Sequence, residues 1–190
     1  MDSPARRPLR ADAARNVQAL VAAAKELFDE QGSDVALDEI ARRAGVGNAT
    51  LYRNFPTRAD LIVAVYADEV AELCLRGAAL RETEAAGEAL FAWLDSFVVH
   101  VATKRALALA GTEHNTERRT QLFDTWHEAM RKVAGDLYDR AREAEAVSPD
   151  VSAEELLALT SAAAIASNGP EHARRLLRMM RYGFARHSGA

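Results

Sequence analysis

The chain has one cysteine in 190 residues, Cys74, so no intramolecular disulfide can staple it and a buried core must hold it together. It also lacks any apolar run approaching the roughly 20 residues of a membrane-spanning helix. The N-terminus has no long apolar run of the kind that marks a signal peptide. A soluble, cytoplasmic protein with no membrane partner is the expectation. Five prolines and ten glycines are few for this length and cluster at a few joints, which leaves long stretches without a helix breaker. Charge of one sign is also scarce. Lys and Arg number 24 against 28 Asp and Glu, a net charge of -4, which excludes a strongly basic chain that holds nucleic acid indiscriminately.

Catalytic and metal motifs are missing as well. Gly45-Val46-Gly47 begins like a nucleotide-binding loop, but no strand precedes it and neither a third glycine nor Gly-Lys-Ser/Thr follows. His127-Glu128 has no second histidine to complete a zinc-binding HExxH, and the other histidines show no metal-ligand spacing. No serine sits in a GxSxG elbow, and Cys74 has no nearby base in sequence. No enzyme activity, cofactor or metal is expected.

What is present is 49% apolar residues, ample for a core, and a predominance of Ala, Leu, Arg and Glu. No strand pattern and no internal repeat appears, and the predicted fold class is all-α. The stretch that organises the rest is Leu37 to Phe55. Leu37, Ile40, Ala41 and Ala44 recur at helical spacing, Gly45 ends that helix, and Val46 plugs the corner. Asn48 is the expected N-cap of a second short helix anchored by Leu51 and Phe55, and Pro56 forbids Phe55 a helical conformation. Asn48, Ala49, Thr50, Tyr52, Arg53 and Asn54 are left to face outward. Two short helices around a tight turn form a helix-turn-helix, which places its second helix in the DNA major groove. The outward set carries a hydroxyl and a phenol for phosphates, and amides and a guanidinium for base edges.

Ile40-Ala41, Ala44-Gly45-Val46 and Thr50-Leu51-Tyr52-Arg53-Asn54-Phe55 resemble the signature of the TetR family of bacterial transcriptional regulators, and the likeness continues through Arg58 and Leu61. The run from Ala102 to Ala108 resembles the SbtR-like subgroup of that family. The resemblance implies a homodimeric, all-helical repressor that binds double-stranded operator DNA, with a C-terminal domain that takes a small-molecule effector. It also implies a phosphate contact for Arg58. The chain departs from the family where Ala36 stands in place of a capping Ser or Thr, where Gly47 replaces a common Ser, and where Asn54 replaces a common His.

Taken in order, residues 1–10 carry Arg6, Arg7 and Arg10 around two prolines and are expected to form a disordered basic arm. The DNA-binding domain is assigned to 11–60, with a first helix from Asp12 to Gln31, and the ligand-binding and dimerisation domain to 61–190. Thr57, with Asp60, should cap a helix running to about Arg81. A central helix from Ala85 is followed by a short Ala106 to Ala110 segment broken at Gly111, then by a long helix to about Ala146. Trp93, Phe97, His100, Phe123, Trp126 and Met130 are the candidate pocket lining, which suits an apolar or aromatic effector.

The last two helices, Ser152 to about Ser167 and Pro170 to about His187, present Leu156, Leu159, Ala163, Ala173, Leu176, Leu177, Met180 and Phe184. That is more apolar face than one small domain needs. Pairing with a second chain as a four-helix bundle is expected, so these are the candidate dimer-interface residues. The competing readings are a helical small-molecule carrier or enzyme with an incidental helix-turn-helix, and a structural interaction protein that has lost DNA recognition.

Overall fold

Few breakers and many strong helix formers give eight helices: α1 (Arg6–Gln31), α2 (Leu37–Ala44), α3 (Asn48–Asn54), α4 (Arg58–Thr83), α5 (Ala86–Thr112), α6 (Thr116–Glu143), α7 (Ala153–Ala166) and α8 (Pro170–Tyr182). The structure is a computed structural model that describes residues 6–112 and 116–182, with side chains over 12–103, 121–122 and 124–182. Strands are absent among the described residues, and no helix there is long and apolar enough to cross a membrane.

Two expectations are corrected. Residues 6–10 are not an unfolded arm but the start of α1. Pro8 is tolerated there because the first turn of a helix has no intrahelical partners for its N–H groups. Gly111 does not break the chain either, since α5 runs through it to Thr112. A glycine costs a helix about 1 kcal/mol, which near the end of a 27-residue helix is insufficient to stop it.

The chain divides into two compact units, Met1–Asp68 with Leu107–Thr116, and Glu69–Ala106 with Glu117–Ala190. The division falls inside α4 rather than at residue 60. In the first unit, Leu20, Ala24, Leu27, Ile40, Ala41, Leu51, Phe55, Leu61 and Val65 form one core shared by α1, α2, α3 and the start of α4. Burial there pushes the Tyr66 phenol up to about 12, so it stays neutral. Arg43 ties α2 to α1 through Glu26 and Glu30.

In the second unit, Leu90, Trp93, Leu94, Val98, Leu137 and Ala141 are almost completely buried. The Trp93 ring stacks on Phe97 with centroids 5.3 Å apart, and its indole Nε1 donates to the Leu73 carbonyl at 3.0 Å. Helix α7 packs against α8. It starts with a complete capping box in which Glu155 N–H donates to Ser152 Oγ at 3.2 Å and Ser152 N–H donates to the Glu155 carboxylate at 2.8 Å. Arg174 and Arg181, two turns apart on α8, reach Asp95 (3.1 Å) and Glu88 on α5, and Arg181 also lies 4.4 Å above the Phe91 ring.

Candidate DNA-reading helix and ligand cavity

Helix α3 is held by its two apolar anchors. Leu51 is fully buried and Phe55 nearly so, which leaves Asn48, Ala49, Tyr52, Arg53 and Asn54 exposed and Thr50 half-buried. The turn before it depends on Gly45, which takes the left-handed conformation (φ 65°, ψ 27°) that a side chain disfavours. Its N–H and that of Val46 return to the last carbonyls of α2, with Val46 N–H donating to Ala41 at 2.9 Å. Phe55, ahead of Pro56, has left the helical region at φ -130°, ψ 84°.

The N-cap of α3 is Gly47 rather than Asn48. Its carbonyl closes the first turn by accepting from Thr50 and Leu51 N–H at 2.8 and 3.1 Å, so Asn48 is the first helical residue and its amide is not used as a cap. Ala36 caps α2 without a side-chain hydrogen bond, in keeping with the missing hydroxyl. Thr57 caps α4 as expected, with Asp60 N–H donating to Thr57 Oγ1 at 3.2 Å and Thr57 N–H donating to the Asp60 carboxylate at 3.2 Å.

Two polar side chains of α3 are folded back on the helix. Arg53 donates from Nε to the Ala49 carbonyl at 3.2 Å and from Nη2 to Thr50 Oγ1 at 2.8 Å, while Asn54 donates from Nδ2 to the Thr50 carbonyl at 2.8 Å. Arg58, for which the family likeness implies a phosphate contact, is half-buried. Its Nη1 donates to the carbonyls of Ser33 and Val35 at 2.7 and 2.6 Å, so the start of α4 is tied to the segment joining α1 to α2.

In the second unit the six candidate pocket residues separate. Phe97 and Met130 line a cavity of about 340 Å³ together with His127, Arg131, Glu154, Leu157, Ala158 and Ser161. His100 lies instead in a polar cavity of about 420 Å³ with Glu69, Glu72, Arg76, Asp95 and Arg174. Trp93 and Trp126 are buried and line neither of these cavities, because the indole of Trp93 is packed between helices. The Phe123 side chain lies outside the described residues. The first cavity is therefore more polar than an apolar and aromatic wall. Burial and the neighbouring Arg131 charge hold the His127 imidazole below its ordinary pKa, against a smaller opposing pull from Asp124.

Residues 20–65 match the family described as bacterial regulatory proteins, tetR family, and residues 85–186 match the transcriptional regulator SbtR-like C-terminal domain. The chain belongs to the TetR family of bacterial transcriptional regulators. A TetR transcription regulatory protein from Mycobacterium vanbaalenii is 33% identical, with 94% of this chain and 100% of that one covered at a TM-score of 0.73. A TetR transcriptional regulator from Streptomyces coelicolor is 31% identical over 90% of this chain and 99% of its own, with a TM-score of 0.70. An HTH-type transcriptional regulator of Staphylococcus aureus (strain USA300) is 41% identical over 54 residues, a stretch that spans 28% of this chain and only 29% of the staphylococcal one.

The TetR-family chain distributes its α7 and α8 residues differently from expectation. Ala163, Ala173 and Leu177 are buried within the single chain, where α7 packs against α8. Leu156 and Leu176 are half-buried, Leu159 and Met180 are exposed, and Phe184 lies outside the described residues. Ile165, Met179 and Tyr182 are exposed apolar residues that sequence reasoning passed over. Arg131, Glu154 and Ser161, polar residues of the cavity, are also not among the expected site residues. Arg131 stands four residues after His127 on α6, and that spacing was the available signal.

Proposed function

We propose that this TetR-family regulator binds a palindromic operator as a homodimer in the cytoplasm and represses transcription until a small molecule enters the C-terminal unit. The observation that carries the reading is α3 itself: buried Leu51 and Phe55 fix the helix, and the exposed groups are two amides, a phenol and a guanidinium, with the Thr50 hydroxyl half-buried beside them. That division suits a helix that lies in the major groove with phosphate contacts on its flanks. The dimer is supported by the apolar surface on α7 and α8, where Leu159, Ile165, Met179 and Tyr182 stand in solvent in a single chain. The effector site is supported by the 340 Å³ cavity between Phe97, Met130 and Leu157, within the size range of small-molecule pockets. No catalysis is assigned.

Selection of bound sequences from random duplex DNA by the full chain tests this function. An enriched inverted repeat with half-sites about one helical turn apart is expected. Binding without enrichment, or no binding, contradicts it.

A further inference from the structure

We infer that the cavity between α5, α6 and α7 takes a small zwitterion with an apolar body, the chemical class of an apolar α-amino acid. The inference rests on the reading of this cavity as the effector site and names what that effector is.

The cavity has a polarity gradient. Phe97 and Met130, at 6% and 4% exposure, form its closed end, whereas Arg131 and Glu154 are exposed and stand where it opens to solvent. A ligand therefore enters with its apolar part first and leaves its polar head among the charged residues. The head meets opposite charges carried by two different helices. Arg131 comes from α6, Glu154 from the first turn of α7, and among the described residues no ion pair within 4.0 Å joins them or links either to another side chain. Both line the same cavity without pairing with each other. A monoanion drawn to Arg131 also faces Glu154, and a monocation drawn to Glu154 also faces Arg131. A head with both charges meets each with its complement, the carboxylate toward Arg131 and the ammonium toward Glu154. Ser161, on the same face of α7 as Leu157 and Ala158, adds a hydroxyl that donates or accepts. The volume of about 340 Å³ lies at the small end of the usual range, as an amino acid requires and a long-chain lipid does not.

Isothermal titration of the full chain tests the class with L-phenylalanine and L-leucine. The controls are N-acetyl-L-phenylalanine, which lacks the cation, L-phenylalanine amide, which lacks the anion, and 3-phenylpropionate. The free amino acids should bind at least about tenfold more tightly than all three controls. In Arg131→Gln the advantage over the amide should disappear, and Arg131→Lys should restore it. In Glu154→Gln the advantage over the N-acetyl derivative should disappear. Both positions are exposed, so each variant should melt like the parent. Failure of both amino acids to bind, or equal or tighter binding of 3-phenylpropionate, overturns the inference. If 3-phenylpropionate binds and releases a selected operator, the class is wrong while the effector reading stands. If the amino acids bind with the expected variant effects and operator affinity does not change, the zwitterion site stands and the regulatory reading falls.

Discussion

Gly77 on α4 gives its side-chain space to Trp93 on α5. A Cβ placed on Gly77 would stand 3.0 Å from both Cδ1 and Nε1 of the indole and 2.3 Å from Val133 Cγ1 on α6, and the same indole donates to the carbonyl of Leu73 one turn earlier. Three helices of the second unit thus meet at a residue that would ordinarily weaken α4. Gly77→Ala should destabilise the chain despite the better helix propensity of alanine. Overpacking costs about 1–3 kcal/mol and the helix gains back about 1. Chemical denaturation should therefore show a loss of up to about 2 kcal/mol, and a gain would mean that the contact is loose.

Arg58 should act on the shape of the DNA-binding unit more than on phosphate charge. Both bonds from Nη1 go to backbone carbonyls of the segment between α1 and α2, at 2.7 and 2.6 Å. Arg58→Ala leaves two partly buried acceptors without this donor and should cost about 1–3 kcal/mol of stability. Arg58→Gln, which keeps one donor group and removes the charge, should recover part of that loss. If Arg58→Ala melts like the parent and only lowers the salt slope of operator binding by about 1, the residue is a phosphate ligand and its place against the loop is incidental.

Readout on α3 separates by position. Arg53 and Asn48 should contribute to base discrimination, whereas Tyr52, Thr50 and Asn54 should chiefly hold the backbone. In the free chain Arg53 is bonded to Thr50 Oγ1 at 2.8 Å, so reaching a base edge requires that bond to open. Arg53→Ala should cost about 1–3 kcal/mol and relax preference at one base pair. Binding measured across a set of operator variants decides the point, since equal loss on every sequence would assign Arg53 to the backbone.

Two titrations should shape stability at acid pH. The His127 pKa is lowered in the folded chain, mainly by burial and then by Arg131, so the unfolded chain binds more protons between that lowered value and 6.5. Stability should rise with pH through that window and gain nothing further from His127 above it. Glu155, lowered by its hydrogen bonds within the capping box, contributes stability that is present above 4.5 and lost as pH falls below it. His127→Gln should flatten the first dependence and leave the second. Melting curves between pH 4 and pH 7 that match the parent would contradict the role of His127.

The helix-turn-helix was legible because its determinants are local: Gly45 at the turn, Leu51 and Phe55 four apart, and Pro56 at the end all act within one or two turns of chain. The Thr57 cap of α4 was legible for the same reason. Arg58 was not, since its partners Ser33 and Val35 are 25 and 23 residues away and an exposed-looking arginine has no sequence mark for turning inward. The cavity was legible only in part, through Phe97 and Met130, for a related reason. Trp93, His100 and Met130 read together as pocket lining, and whether each meets a cavity or packs between helices depends on how the helices cross. Helix α7 is apolar nearly all round, so periodicity could not tell Ala163, which is buried, from Leu159 and Ile165, which are not.

The surface of α7 and α8 should hold two copies together, and the residues that test it are those that reach solvent. Leu177, at 5% exposure, belongs to its own protomer, so Leu177→Glu should fail by unfolding and says nothing about assembly. Ile165 and Met179, at 59% and 39%, can take a charge without disturbing that core. Helix α8 itself is fixed on α5 by Arg174 to Asp95 and Arg181 to Glu88, so it presents Met179 and Tyr182 from a set orientation. Ile165→Glu and Met179→Glu together should give monomers that keep the helical signal of the parent. Operator affinity should fall with them, because a dimer reads two half-sites about 34–36 Å apart and a monomer keeps only one set of contacts. Sedimentation of the double variant as an intact dimer would place the interface elsewhere.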